Sequence, residues 1–450
     1  YDGTSRFMKD QRWNFFPSFS LGWNVARENF WKPLESVVNQ FKLRGSWGEL
    51  GNQNTSNLYP FYEILPVKSN SGNWLVNGGK TNTADIPSLV STLLTWERVR
   101  SFNVGFDFGA FSNRLTGSFD YFVRKTVDMV GPAPQLPLVL GIAPAIVNNA
   151  DMKSYGFEIE LSWRDRIGEV DYGVKFNLAD AQQKVVKYPN TTNAFNDWYA
   201  GKMSGEIWGY TSLGIAKTDE EMKEHLASLP NGGQNQLGNK WGAGDIMYAD
   251  INGDGKVDGG KGTLADPGDQ RIIGNSTPRY NFGLVLDASY KGFDVSIFFQ
   301  GVGKRDYAPI VGTNGAVFWG AVNNIWQSMA MEEHFDYFRP EGHPMGANLN
   351  GYYPRPDFTS NKNHQVQTRY LQDASYIRLK NLQIGYTLPK QWINKLHINR
   401  CRVYVSGDNL WTGTSLASMF DPETLAAGDW GSGKTYPLSK VISFGLNVNF

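Results

Sequence analysis

The chain has a single cysteine, Cys401, among its 450 residues, so no disulfide can close within it. That suits many cytosolic proteins and also walls held by strand pairing, and it separates neither. Long apolar runs are missing as well. None approaches the roughly 18 to 20 residues of a helical membrane span, which excludes a helical membrane protein. The mean hydropathy of −0.41 leaves a β-barrel open, because alternating strands dilute their own hydropathy. Charge of one sign is absent: 43 Lys and Arg balance 43 Asp and Glu, with no basic stripe, so nucleic acid is not an expected partner. The chain begins at Tyr1 with neither Met nor a leader pattern, and a start removed by processing or truncation is expected.

Catalytic spacings are lacking too. His225, His334, His343, His364 and His397 form no zinc pattern, and no G-x-S-x-G occurs. Gly301-Val302-Gly303-Lys304 has neither the full spacing of a phosphate loop nor its following Ser or Thr. Glu158 and Glu160 share a strand face as a glycosidase pair could, but wet wall residues are the simpler account of them. No enzyme is expected.

What the chain does have is alternation, in a sequence that is 14% aromatic. At the C-terminus Ile442, Phe444, Leu446, Val448 and Phe450 interleave with Ser443, Gly445, Asn447 and Asn449. A final strand with one apolar and one small-polar face, closing on an aromatic, is the form bacterial outer-membrane proteins present to their assembly machinery, which makes Phe450 a candidate assembly signal. Similar rows run through Phe15–Val25, Phe41–Trp47, Phe102–Phe108, Leu115–Arg124, Phe157–Trp163, Tyr172–Leu178, Tyr280–Asp287, Phe293–Ile297, Leu382–Leu388 and Val403–Val405. Charged residues fall on the non-apolar parity, as expected where one face meets hydrocarbon and the other a watery bore. A soluble sandwich also alternates, but its strands are usually five to six residues long, whereas several of these rows approach ten.

Eleven strands are therefore expected, and their connections alternate in length. Short ones are Glu28–Gln40, Ser112–Asn113, Arg164–Gly168, Lys291–Gly292 and a small helix within Pro389–Asn399. Long ones cover about 50–94, 131–152, 182–278, 303–372 and 412–438. Tight turns on one rim and long loops on the other are the pattern of a transmembrane barrel. The tempting strand Ile207–Ile215 would break the alternation, so it is assigned to an extracellular excursion. Bacterial single-chain barrels have even strand numbers, so further strands are expected on the N-terminal side.

These segments carry a resemblance. RWNFFPSFSLGWNVARENF (Arg12–Phe30), FKLRGSWGELGNQ (Phe41–Gln53), LTWERVRSFNVGFDFGAFSNRLTGSFDYFVRKT (Leu94–Thr126), GDIMYADINGDGKVD (Gly244–Asp258), SYIRLKNLQIGYTLP (Ser375–Pro389) and RVYVSGDNLW (Arg402–Trp411) resemble, in order, the C-terminal half of SusC/RagA-type TonB-dependent transporters of the Bacteroidetes outer membrane. The resemblance implies an all-β, antiparallel transmembrane barrel of 22 strands with long extracellular loops, of which residues 1–450 supply about the last eleven. The N-terminal plug domain and first strands are not in this sequence. It further implies a SusD-like surface lipoprotein as a lid, TonB acting through the plug, outer-membrane lipid around the wall, the barrel assembly machinery, and import of a glycan or peptide ligand. A secreted lectin or adhesin and a β-rich polysaccharide hydrolase are the alternatives, and both would be soluble.

Two constellations remain. Asp250, Asn252, Asp254, Lys256 and Asp258 fit the first nine positions of an EF-hand-like calcium loop, with Lys256 giving a backbone carbonyl and Gly255 the sharp turn. Lys261 stands where the bidentate Glu would be, and Asp266 or Asp269 could fold back in its place; a metal-free Asn-Gly and Asp-Gly turn cluster is the other reading. Trp198, Trp241, Trp319, Trp326 and Trp430 lie in long loops, where an aromatic face can stack on a sugar or meet a lid protein. Asp336, Arg339, Tyr352, Tyr353 and Arg355 are comparable, and the simpler role for any single one is packing loop on loop.

Overall fold

A computed structural model describes the chain apart from residues 54, 56, 57, 134–136, 138, 140, 143, 310–315, 321–329, 358–360, 395, 396 and 426–434. Its frame is one eleven-stranded sheet: β1 (Ser18–Asn24), β2 (Val38–Asn52), β3 (Glu97–Ala110), β4 (Leu115–Gly131), β5 (Val147–Ile167), β6 (Val170–Lys187), β7 (Arg279–Tyr290), β8 (Phe293–Lys304), β9 (Tyr376–Thr387), β10 (Arg400–Thr414) and β11 (Val441–Asn449). Each strand pairs with its neighbours in the sequence, so the order from β1 to β11 is an unbroken meander. Every pairing is antiparallel. The expected rows all fall within or across these strands.

The turns follow from local chemistry. Lys291 and Gly292 both adopt positive φ, the conformation of a two-residue hairpin turn whose twist matches its strands. Residues 28–40 contain the 3-10 helix Asn29–Leu34, and Lys390–Ile393 is the expected small helix. The Ile207–Ile215 stretch stays out of the large sheet: Glu206–Gly209 pairs with Arg271–Asn275, and Ser212–Ile215 with Ile246–Tyr248.

Several strands outrun the bilayer. About ten residues suffice for a tilted span, whereas β4 has 17, β5 has 21 and β6 has 18. The short turns close directly on these strands, so the excess length lies toward the long connections.

Burial separates the two parts of the molecule. On the sheet the apolar rows are open: Phe19 is 71% exposed, Leu21 79% and Phe444 82%, and Trp47, Phe102 and Val104 are exposed as well. No second layer covers these rows among the described residues, so they face outward, as a lipid-facing wall requires. The main buried core lies in the loops. Tyr210, Ile246 and Tyr248 from the β6–β7 connection pack with Phe318, Trp319, Tyr353 and Tyr370 from β8–β9 and with Leu416 and Phe420 from β10–β11. Three long loops thus share one core on one rim. A smaller cluster joins Phe7, Leu94 and Trp96.

Candidate functional site

Two surfaces could handle a ligand: the polar face of the sheet and the loop assembly at its rim. On the polar face, Arg44 of β2 reaches over β3 to Asp120 of β4 with both terminal nitrogens, at 3.0 and 2.8 Å, and also holds Asp107 at 2.9 Å. Gly105 lies in register between Arg44 and Asp120, and a Cβ there would collide with the Asp120 carboxylate. The arrangement recurs at the other side of the sheet. Arg402 of β10 donates from Nε to Asp294 of β8 at 2.9 Å, passing over Gly385 of β9, where a Cβ would strike the guanidinium. In both places glycine lets a long cation lie flat along the sheet, with its charge satisfied by the carboxylate beyond. A recess of about 610 Å³ on this wall is lined in part by Asp107, Ser118, Glu160, Lys175 and Asn177.

The loop assembly is organised by buried polar groups. Asp245, fully buried, accepts from Lys362 Nζ at 2.9 Å, Arg355 at 2.7 Å, Asn363 Nδ2 at 2.9 Å and the Gly242 amide at 2.9 Å. It ties the β6–β7 loop to the β8–β9 loop. Gln234 bridges further, donating to the Ile246 carbonyl at 2.8 Å and accepting from the Tyr248 amide at 3.1 Å. His334 accepts from the Met331 amide on Nδ1, so its proton sits on Nε2 and is given to the Val317 and Phe318 carbonyls, both at 3.0 Å.

The tryptophans divide by environment. Trp198 is 39% exposed, with Lys202 Nζ 5.9 Å from its ring. Burial lowers the Lys202 pKa, opposed by Glu206 and Asp197. Trp241 is half-buried beneath Lys362, 5.1 Å from its ring. Trp319 is fully buried and donates to the Pro309 carbonyl at 3.0 Å, which places it in the core. Trp326 and Trp430 lie outside the described residues. Tyr353 is buried and Arg355 is spent on Asp245; Asp336 accepts from Asn348, and Arg339 donates to the Gly346 and Phe335 carbonyls. Tyr352 takes Gln372 on its hydroxyl at 2.9 Å.

The Asp250–Asp258 loop is wound on its own side chains. Asp250 accepts from the Gly253 and Gly255 amides, Asn252 from Asp254, and Asp254 from Lys256. Asp269 accepts from the Ile251 and Asn252 amides on one carboxylate oxygen and from the Asp258 amide on the other, and burial pushes its pKa up. The Lys256 ammonium lies 2.5 Å from Asp258 and 3.8 Å from Asp254. It holds the Asp258 carboxyl below the usual range and stands close to the oxygens a cation would need. Among the described residues, no group of three or more His, Cys, Asp or Glu side chains is arranged to hold a metal.

Sequence reasoning missed Asp245, Lys362, Asn363 and Gln234. Their partners lie over a hundred residues apart in several cases, and nothing local marks them.

Residues 1–410 match the family described as TonB dependent receptor-like, beta-barrel. TonB-dependent receptor P3 of Formosa agariphila is 29% identical over the whole chain, which covers 43% of that relative. TonB-dependent receptor SusC of Bacteroides thetaiotaomicron is 23% identical, again over the whole chain and 41% of the relative. The chain thus spans less than half the length of these curated relatives. Among solved structures, the RagAB peptide transporter superposes with a TM-score of 0.73 at 22% identity, over 99% of this chain and 44% of the other.

Proposed function

The chain belongs to the TonB-dependent receptor-like β-barrel family of the outer membrane, and from that premise we propose that it forms the C-terminal wall and outer loops of a TonB-dependent importer of oligosaccharides or peptides. The observation that carries this reading is the two-sided sheet. Its apolar rows are exposed on one face and its crossed Arg–Asp pairs lie on the other, which a soluble lectin or hydrolase would not tolerate. The ligand is captured at the loop rim, with Trp198 and Lys202 as an aromatic and cationic contact, beneath a SusD-like surface lipoprotein. It passes down the polar wall when TonB acts through a plug in the full protein. One solved neighbour is described as a peptide transporter, so peptides stand beside glycans as cargo. The Asp250–Asp258 loop, with Asp269 behind it, is proposed as a calcium site that stiffens the loop assembly: Asp250, Asn252, Asp254 and Asp258 give side-chain oxygens and Lys256 its carbonyl.

The test is growth of a strain lacking the full-length gene on oligosaccharide mixtures and on peptide mixtures as sole nutrient. Loss of growth on one, restored by the complete gene and not by a gene lacking its TonB-binding segment, is expected. Unchanged growth and uptake on both classes would refute import.

A further inference from the structure

One row of the outer face is out of keeping with the rest. Along β3–β6 the outward positions read Phe106, Phe119, Ile159 and Leu178 in one register row, Val104, Tyr121, Phe157 and Asp180 in the next, where Asp180 is paired with Arg279, and Phe102, Val123, Tyr155 and Gln182 in the one above. The next outward row is Arg100, Lys125, Lys153 and Lys184, four cations directly opposite one another on four adjacent strands. At about 4.8 Å between strands the row is roughly 14 Å long. Like charges directly opposite repel, so such a row needs a compensating charge.

Arg100 has one: Glu49, its register partner on β2, accepts from its Nε at 2.7 Å. Lys125, Lys153 and Lys184 join no salt bridge among the described residues. Lys125 and Lys184 are exposed, and the Lys153 ammonium leans over the Tyr155 ring, 5.0 Å from its centroid.

Height decides what meets them. Trp163, bonded to the Tyr172 hydroxyl at 3.1 Å and edge-on to Phe111, marks the aromatic girdle at the short-turn rim. Lys153 lies ten residues further up β5, about 25 Å along the barrel axis after strand tilt, which equals the apolar band of such barrels. Lys153 therefore sits at the headgroup level of the outer leaflet. Its register neighbours Lys125 and Lys184 lie within about 3 Å of that height, because a tilted row climbs from strand to strand, and all three face lipid. Long Lys side chains rooted at the edge of hydrocarbon extend their ammonium groups into that layer.

We propose that Lys125, Lys153 and Lys184 form a binding site for the phosphate of an anionic outer-leaflet lipid headgroup. Three ammonium groups in line match a phosphorylated headgroup by charge, and the apolar band beneath, with Tyr121, Val123 and Tyr155, receives the acyl chains. This inference rests on the membrane placement of the sheet and is independent of what the barrel imports.

The experiment is native mass spectrometry of the purified full-length receptor in zwitterionic detergent, titrated with bis-phosphorylated lipid A, with the same lipid stripped of phosphate, and with inorganic phosphate as competitor. The parent should retain the phosphorylated lipid and release the stripped one. A Lys125→Gln/Lys153→Gln/Lys184→Gln variant should bind at least about tenfold more weakly, and the matching Lys→Arg variant should bind like the parent. Melting in detergent alone controls for folding: removing like charges should leave the Gln variant at least as stable as the parent, and added phosphorylated lipid should raise the melting temperature of the parent and of the Arg variant but not of the Gln variant. Equal binding by the Gln variant, or equal binding of the stripped lipid, would overturn the proposal. Displacement of the lipid by inorganic phosphate would reassign the row to free anions and overturn the lipid assignment.

Discussion

Asp245 and Lys256 show two ways in which one charge organises a loop. Asp245 is out of reach of water, and Lys362, itself 1% exposed, and Arg355 both donate to it. A buried pair of this kind adds little net stability, since desolvation offsets attraction, but losing one partner strands the other charge and costs about 3–5 kcal/mol. Asp245 therefore determines which loops are held together more than how tightly. Lys256 works at a half-exposed loop, where its ammonium neutralises the carboxylates that would otherwise attract a divalent cation. Calcium entering among Asp250, Asp254 and Asp258 has to displace it. Replacing Lys256 with Ala should raise calcium affinity roughly tenfold, since the backbone carbonyl at that position is retained. Isothermal calorimetry of the full-length receptor would measure it; no heat from either the parent or the variant would dismiss calcium from this loop.

At the scale of the element, a strand here has two unlike faces one residue apart. Phe119 sits four residues above the base of β4 at Leu115, near the middle of its apolar band, among Phe106 and Phe157, with ring centroids at 5.7 and 6.5 Å, on the side that meets lipid. Ser118 points the other way, with Asp107 and Glu160 as its register neighbours. Phe119→Arg should lower the unfolding free energy by about 2–4 kcal/mol, the cost of a cation at the bilayer midplane. Ser118→Arg, entering water between two carboxylates, should change it by less than about 0.5 kcal/mol. Urea titration of both variants of the full-length receptor in liposomes would compare them, and equal losses would mean that the faces are misassigned. The same period of two explains why the eleven strands and their alternating turns were legible in the sequence: facing depends on parity, which one strand states by itself. Register was not legible, so the glycines under Arg44 and Arg402 could not be matched to their cations. The loop core was legible least. Tyr248, Trp319 and Phe420 share it without any common period, and an aromatic in a loop reads equally as core or contact, which is why Trp198 and Trp319 looked alike and proved to occupy opposite environments.

The whole molecule carries its stability in two compartments, a sheet held by strand pairing and lipid and a loop assembly held by its own core, and acid should act on them differently. In the loops, burial lowers the His225 pKa below its ordinary value near 6.5, opposed by the Gln234 contact at 3.2 Å. Asp258 is held low by Lys256. At Asp421 burial pushes the pKa up, but the bond from Arg378 and the amides of Glu423 and Leu438 pull it down further. A histidine whose folded pKa is depressed takes its proton first in the unfolded loop, so loop stability falls as pH drops through about 6.5 toward the folded value and then levels. The depressed carboxylates contribute fully above their unfolded pKa near 3.9, and that contribution is lost as pH falls through their lower folded values. Hydrogen exchange of the full-length receptor should therefore show loop protection around Ile246, Tyr248 and Gln234 declining in two stages, one near pH 6 and one below about pH 4. Protection in β3–β6 should hold through the first stage, because none of these three groups lies on those strands. His225→Gln should abolish the upper stage and leave the lower one in place. A single loss below about pH 4 in the parent, or an upper stage that persists in the variant, would show that burial of His225 does not couple proton uptake to the loop core.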